Sequence, residues 1–320
     1  IYQSWVTGAM AADAEGTCRP LRSLAQLRSL DLSENASLGD EGCVAVSHIL
    51  SACTLRCIKL RSCDVGPIGL TALRDAIVGQ PSSPNGQDKG GGACCALEEL
   101  DLAHNPRIAT ATPIVIGELT ASGVVSLDLS GCSLRGGHAS AMAVALRLQA
   151  EQGALRILKL RANQVDGISA AQLISTSLTE LSLFDNPLMG GGLLALVGNG
   201  ESDDDDVPPA LDDLSPAIAT VAPASVAHAL ASSLAAATSM RILDIGGCRL
   251  GGVEMLAILD ALRHSDSTAL ASIELFGNPG TGAAIREAVV ALRAQRPTLD
   301  IAWKEPQDRD SLPAEVERTT

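Results

Sequence analysis

One nine-residue string recurs along this chain, and it constrains the fold more than any other feature. It runs first as Leu27-Arg-Ser-Leu-Asp-Leu-Ser-Glu-Asn35 and next as Leu55-Arg-Cys-Ile-Lys-Leu-Arg-Ser-Cys63. Further copies begin at Leu97, Val124, Leu155, Leu178, Met240 and Leu270, and close on Asn105, Cys132, Asn163, Asn186, Cys248 and Asn278. These are eight copies of L-x-x-L-x-L-x-x-N/C, a number that composition alone does not produce. A ninth half-copy, Leu299-Asp-Ile301, is aligned with Leu299 at the fourth position and has no closing Asn or Cys. Successive side chains of an extended segment point to opposite sides, so the fourth and sixth residues share one apolar face. A single short strand cannot bury that face. Stacking successive copies can.

The spacing supplies the rest of each unit. Commoner steps between fourth positions, such as the 28 residues from Leu30 to Ile58, leave about 15–18 residues after the strand turn, enough for a helical return path. Apolar residues at helical spacing within 40–50, 67–78, 137–152, 251–264 and 283–295 support helices there. Each copy fits the leucine-rich-repeat signature. The expected fold class is therefore α/β: a leucine-rich-repeat solenoid, a horseshoe with a parallel concave β-sheet and convex helices. It is expected over 24–303, with 1–23 as an N-terminal cap or flank and 304–320 as a polar, disordered tail. Two steps are long: 42 residues from Ile58 to Leu100 and 62 from Leu181 to Leu243. A Pro/Gly/Ser-rich stretch near 80–93 and an acidic, proline-containing stretch near 200–210 mark loop insertions. A returning helix is expected over 224–237; a degenerate repeat within 188–240 is the alternative.

The pattern resembles the ribonuclease-inhibitor-like repeats, the type also found in NOD-like receptors and in the Ran GTPase-activating protein. The alternation of Asn and Cys at 35, 63, 105, 132 and 163 is similar to the paired repeat types of that family. It breaks where Asn186 follows Asn163, after a short step of 23 residues from Leu158 to Leu181. The resemblance implies a protein-protein interaction module or scaffold. A GTPase-activating protein of the Ran-directed type, donating an Arg to phosphoryl transfer, is the alternative, although no residue here matches its catalytic pattern. The closing Asn or Cys is expected to bond the backbone of the turn leaving the sheet, with Asn→Cys milder than Asn→Ala there.

Positions three, five and seven of each copy face away from the core and line the concave side. Position five reads Asp31, Lys59, Asp101, Asp128, Lys159, Ser182, Asp244 and Glu274. Lys59 is expected between Asp31 and Asp101, and Lys159 beside Asp128, as a self-compensating ladder or as an electrostatic platform. Position seven holds both phenylalanines of the chain, Phe184 and Phe276, each followed by x-Asn-Pro, together with Arg61 and Arg161. Aromatic and arginine side chains are favoured binding anchors. The alternative is that each ring covers its own Pro-containing turn. The candidate partner-binding residues are thus Phe184, Phe276, Asp244, Glu274, Arg61, Arg161, Lys59 and Lys159. Trp5 and Trp303 flank the array and are read as caps over its open ends.

Charge and cysteine usage narrow the class. A net charge of −14 argues against tracking a nucleic-acid backbone or an anionic membrane surface, and favours a basic or mixed-charge protein partner. No apolar run reaches the roughly 18 residues that span a bilayer. Nine cysteines without compact spacing point to a reducing, cytoplasmic compartment rather than a disulfide framework. The chain opens at Ile1 instead of Met, which leaves open that it is a fragment. No catalytic residue, metal site or cofactor is expected. His104 with Asp101 lacks a nucleophile, Cys53, Cys57 and Cys63 lack a His at ligand spacing, and the Asp203–Asp206 run reads as solvated loop.

Overall fold

The computed structural model describes residues 27–52, 55–78, 97–149, 153–190, 223–265 and 269–304. The expected flank 1–23 with Trp5, the two insertions near 80–93 and 200–210 with Asp203–Asp206, and the tail beyond 304 lie outside the described residues.

Nine three-residue strands form one parallel sheet in chain order. They are β1 Ser29–Asp31, β2 Cys57–Lys59, β3 Glu99–Asp101, β4 Ser126–Asp128, β5 Ile157–Lys159, β6 Glu180–Ser182, β7 Ile242–Asp244, β8 Ser272–Glu274 and β9 Asp300–Ala302. Parallel strands require a crossover between them. It is supplied by helices α1 Gly39–Ala52, α2 Pro67–Val78, α3 Pro113–Thr120, α4 Gly136–Leu148, α5 Gly167–Ile174, α6 Pro223–Ala236, α7 Gly252–His264 and α8 Ala283–Gln295. Strands stack about 4.8 Å apart, whereas packed helices need about 8–10 Å, so the array curves with its sheet on the inside. The two eight-residue helices, α3 and α5, were not marked by the apolar spacing; α5 fits the 23-residue step from Leu158 to Leu181. Across the 62-residue step β6 pairs directly with β7, Leu181 opposite Leu243.

The leucines of the motif lie where their periodicity places them. From the second copy onward, the residues at positions four and six, Ile58 and Leu60 through Ile273 and Leu275, are fully buried. Leu27, Leu30 and Leu32 of the first copy are only partly buried. The ninth strand departs from the alignment. Ile301 pairs with Ile273, so Ile301 rather than Leu299 holds position four. A shift of two residues keeps the same face inward. It brings Trp303 to position six, packed against the core.

Every copy leaves the sheet through the same sharp bend. The residue at position eight has a left-handed backbone in all of them, from Glu34 (φ 63°) and Ser62 (φ 54°) to Gly247 (φ 63°) and Gly277 (φ 72°). The three Cys copies add a second left-handed residue directly after the cysteine, at Asp64, Ser133 and Arg249. No Asn copy does. Three Asn copies are followed instead by proline, Pro106, Pro187 and Pro279, whose ring cannot adopt positive φ. Asn and Cys therefore mark two different turns.

The ladder side chains bond between copies as well as within them. Asn105 donates from Nδ2 to the carbonyls of Leu60 and Leu102, both at 2.8 Å, and accepts at Oδ1 from the N–H groups of Cys63 (2.9 Å) and Val65 (3.0 Å). Asn278 repeats this on Ile245, Leu275, Cys248 and Leu250. The cysteines serve only as donors: Cys63 to Leu32 O (3.0 Å), Cys132 to Leu102 O (3.2 Å) and Cys248 to Leu183 O (3.0 Å). Burial pushes the Cys132 and Cys248 thiols up to about 12, which keeps the donating proton in place. Cys and Asn thus satisfy their turns differently, because a thiol offers a proton but no equivalent of the amide oxygen.

Candidate functional site

The concave face is a grid whose rows are the outward positions three, five and seven. At position five the aspartates first serve their own strand ends. Asp31, Asp101, Asp128 and Asp244 each accept through Oδ1 the backbone N–H of position seven, at 3.0, 3.0, 2.9 and 3.2 Å. This bond, with Lys59 in support, holds the Asp31 carboxyl below its ordinary range.

The charge ladder differs from the lateral Asp–Lys pattern expected. Lys59 does stand in register between Asp31 and Asp101, and Lys159 beside Asp128. Yet the cation that engages these carboxylates is Arg61, from position seven. It reaches Asp101 at 3.1 Å and Asp128 at 3.4 Å. Neither lysine forms an ion pair among the described residues. The guanidinium spans two strands, which a lysine at position five does not.

The aromatic rows resolve differently again. Phe184 and Phe276 touch each other, with ring centroids 5.5 Å apart and planes tilted by 37°. They belong to non-adjacent strand ends, and the copy between them has Gly246 at position seven. A Cβ there would lie 3.0 Å from Phe184 Cδ2 and 3.0 Å from the Phe276 carbonyl oxygen. The missing side chain lets the rings meet. On the other side of Phe184 the Arg161 guanidinium carbon lies 4.8 Å from the ring centroid. The outcome is a continuous row, Arg161–Phe184–Phe276, instead of two rings each covering its own turn.

A cavity of about 630 Å³ opens beside this row. It is lined by Arg61, Lys159, Arg161, Phe184, Asp244 and Glu274 of the predicted set, and by Asp128 of the position-five row. Lys59 and Phe276 lie outside its lining. Sequence reasoning passed over Glu180, Asp185 and Ile242, which also line it. Ile242, at 41 % exposure, was legible as an apolar residue at outward position three. Ser182 was legible only as a neutral gap in the charge row; its hydroxyl donates to Asp244 Oδ2 at 2.8 Å. Glu274 is pushed above the ordinary carboxylate range by burial and by Asp244, against a smaller opposing pull from Arg161.

His104 and Asp101 do not work together. Asp101 is engaged by Arg61 and the Ala103 N–H, while the His104 ring packs over Gly131. Cys43, Cys57, Cys63, Cys132 and Cys248 are free thiols, and no group of three or more potential ligands is gathered for a metal among the described residues. Cys18, Cys53, Cys94 and Cys95 lie outside them.

Strand, turn, ladder and convex helix define this chain as a leucine-rich-repeat solenoid. A Leucine Rich repeat family model matches residues 25–47, 51–73 and 175–197. The mouse ribonuclease inhibitor is 27% identical over 300 residues, covering 92% of this chain. The chain spans 55% of that relative's length. Its repeats are similar to those of the ribonuclease inhibitor. A solved structure, the yeast Rad7 and Elc1 complex, aligns at 14% identity over 87% of this chain and 74% of the other, with a TM-score of 0.35.

Proposed function

We propose that this chain is a binding module, not an enzyme, and that a protein partner docks on the concave sheet face between β5 and β8. The carrying observation is the Arg161–Phe184–Phe276 row: both phenylalanines of the chain stand together on an outward surface, beside a concavity. Rings and guanidinium groups that are rigidly held before binding lose little side-chain freedom on docking. The likeness to a protein named for inhibiting a ribonuclease supports recognition of another protein. The net charge of −14 favours a basic or mixed-charge partner over an acidic one or a nucleic acid. Free thiols buried within the ladder fit a reducing, cytoplasmic setting. No helix of the described residues is long and apolar enough to cross a membrane.

The test is capture of a partner from extract on the immobilised chain, followed by affinity measurements on Phe184→Ala and Phe276→Ala. Each substitution is expected to weaken the complex by about 1–2 kcal/mol or more. The lost ring pair lowers stability by about 0.5–1.5 kcal/mol, so affinities are compared well below both melting temperatures. Unchanged affinity in both variants sinks the proposal.

A further inference from the structure

The charges on the concave face are unevenly matched. On the β3–β4 side, Arg61 answers both Asp101 and Asp128. On the β7–β8 side, Asp244 and Glu274 stand directly opposite each other in register. Like charges so placed repel. Asp244 is buried and has one donor on each oxygen, the Gly246 N–H and the Ser182 hydroxyl. The Glu274 carboxylate is half-buried and has neither a hydrogen bond nor an ion pair among the described residues. Lys304, two residues beyond the Ala302 that pairs with Glu274, is exposed and forms no ion pair with it there.

Phe276 follows Glu274 by two residues and projects from the same face. It is 36 % exposed, and one side of its ring is taken by Phe184. Phe184 in turn already holds the guanidinium of Arg161. An aromatic ring at the end of such a row, beside a carboxylate that feels only the distant pull of Arg161 and has no ion pair among the described residues, matches a planar cation. We propose that Phe276, Glu274 and Asp244 form a subsite for an arginine side chain of the docked partner. The guanidinium lies against the exposed part of Phe276, with its N–H groups turned to Glu274. Arginine suits this better than lysine, because its flat delocalised cation both stacks on an aromatic face and presents a fork of donors to a carboxylate. Its charge also relieves the repulsion between Asp244 and Glu274. The subsite rests on the reading of the concave face as the docking surface.

Because the chain has two phenylalanines, incorporation of para-fluorophenylalanine yields two fluorine NMR signals, which Phe184→Leu assigns. The folded 320-residue chain is titrated with N-acetyl-arginine amide and, separately, with N-acetyl-citrulline amide, its neutral counterpart of the same shape. A saturable shift of the Phe276 signal is expected with the arginine probe and none with the citrulline probe. Glu274→Gln, with its melting temperature unchanged, is expected to weaken that response about fivefold through loss of the charged partner. Equal responses to the two probes, a response that does not saturate, or indifference to Glu274→Gln overturns the subsite. The titration needs no protein partner, so the two readings fail separately. A null titration with Phe-dependent capture removes the arginine subsite alone, whereas Phe-independent capture removes the docking face.

Discussion

Asn105 shows how much one side chain does in this fold. Its amide joins two copies through both of its atoms, and its burial leaves no water to replace those bonds. Asn105→Ala is expected to cost about 1–3 kcal/mol in denaturant unfolding, because the Cys63 and Val65 N–H groups lose their acceptor. Asn105→Cys is not a mild substitution at this site. It restores a donor but not the acceptor, and Pro106 forbids the left-handed residue that follows cysteine elsewhere. Loss of stability close to that of the alanine variant is expected, and near wild-type stability for Asn105→Cys refutes the two-turn distinction. A second residue answers to pH. His138 sits in the first turn of α4, where its Nδ1 accepts the Arg135 N–H at 3.1 Å. Burial, aided by Arg135, lowers its pKa from the usual 6.5. The unfolded chain then binds a proton more readily than the folded one. Stability from this group is therefore fully present above the unfolded value and falls as pH drops from 6.5 toward the lower folded value. Melting temperatures of wild type and His138→Gln across that range are expected to show a steeper acid-side loss in the wild type. Parallel curves refute the assignment.

At the scale of the element, the repeating unit was legible because hydrophobic periodicity and a closing polar residue recur together. The paths across the sheet were less so. That Arg61 bonds Asp101 and Asp128 depends on how far a guanidinium reaches over neighbouring strands, which strand order alone does not tell. Phe184 and Phe276 are 92 positions apart, and one whole copy separates their strands. The signal for their contact was present in Gly246, the residue without a side chain at position seven between them. The ninth strand was misaligned because Leu299 and Ile301 both suit position four, and only the pairing of Ile301 with Ile273 decides. Gly246→Ala tests the element directly. The added methyl needs the space of the Phe184 ring edge, and Gly246 has an ordinary backbone conformation, so the ring must give way. The variant is expected to stay folded, with its two para-fluorophenylalanine signals displaced as the ring contact opens, and to bind the captured partner more weakly. Unchanged signals and affinity mean that the row does not depend on the gap.

For the whole molecule, the curved sheet and the acidic balance act over different distances. The Arg161–Phe184–Phe276 row works at contact, once a partner has arrived and water has been expelled from between the surfaces. The net charge of −14 works earlier, by drawing an oppositely charged body toward the molecule before any contact forms. Such attraction extends only about one screening length, about 8 Å at physiological ionic strength and less at higher salt. Raising ionic strength should therefore slow association far more than it speeds dissociation. Between about 0.05 and 0.5 M salt, the association rate with the captured partner is expected to fall about tenfold or more, with the dissociation rate changing much less. The phenylalanine variants are expected to show the reverse, faster dissociation at nearly unchanged association, since outward rings do not alter the charge field. Stopped-flow or surface-based kinetics on wild type, Phe184→Ala and Phe276→Ala at several salt concentrations separate the two effects. An association rate indifferent to salt excludes a basic partner steered by this chain's charge, even if the rings prove to be anchors. A dissociation rate indifferent to both ring substitutions excludes the anchors, whatever the salt dependence.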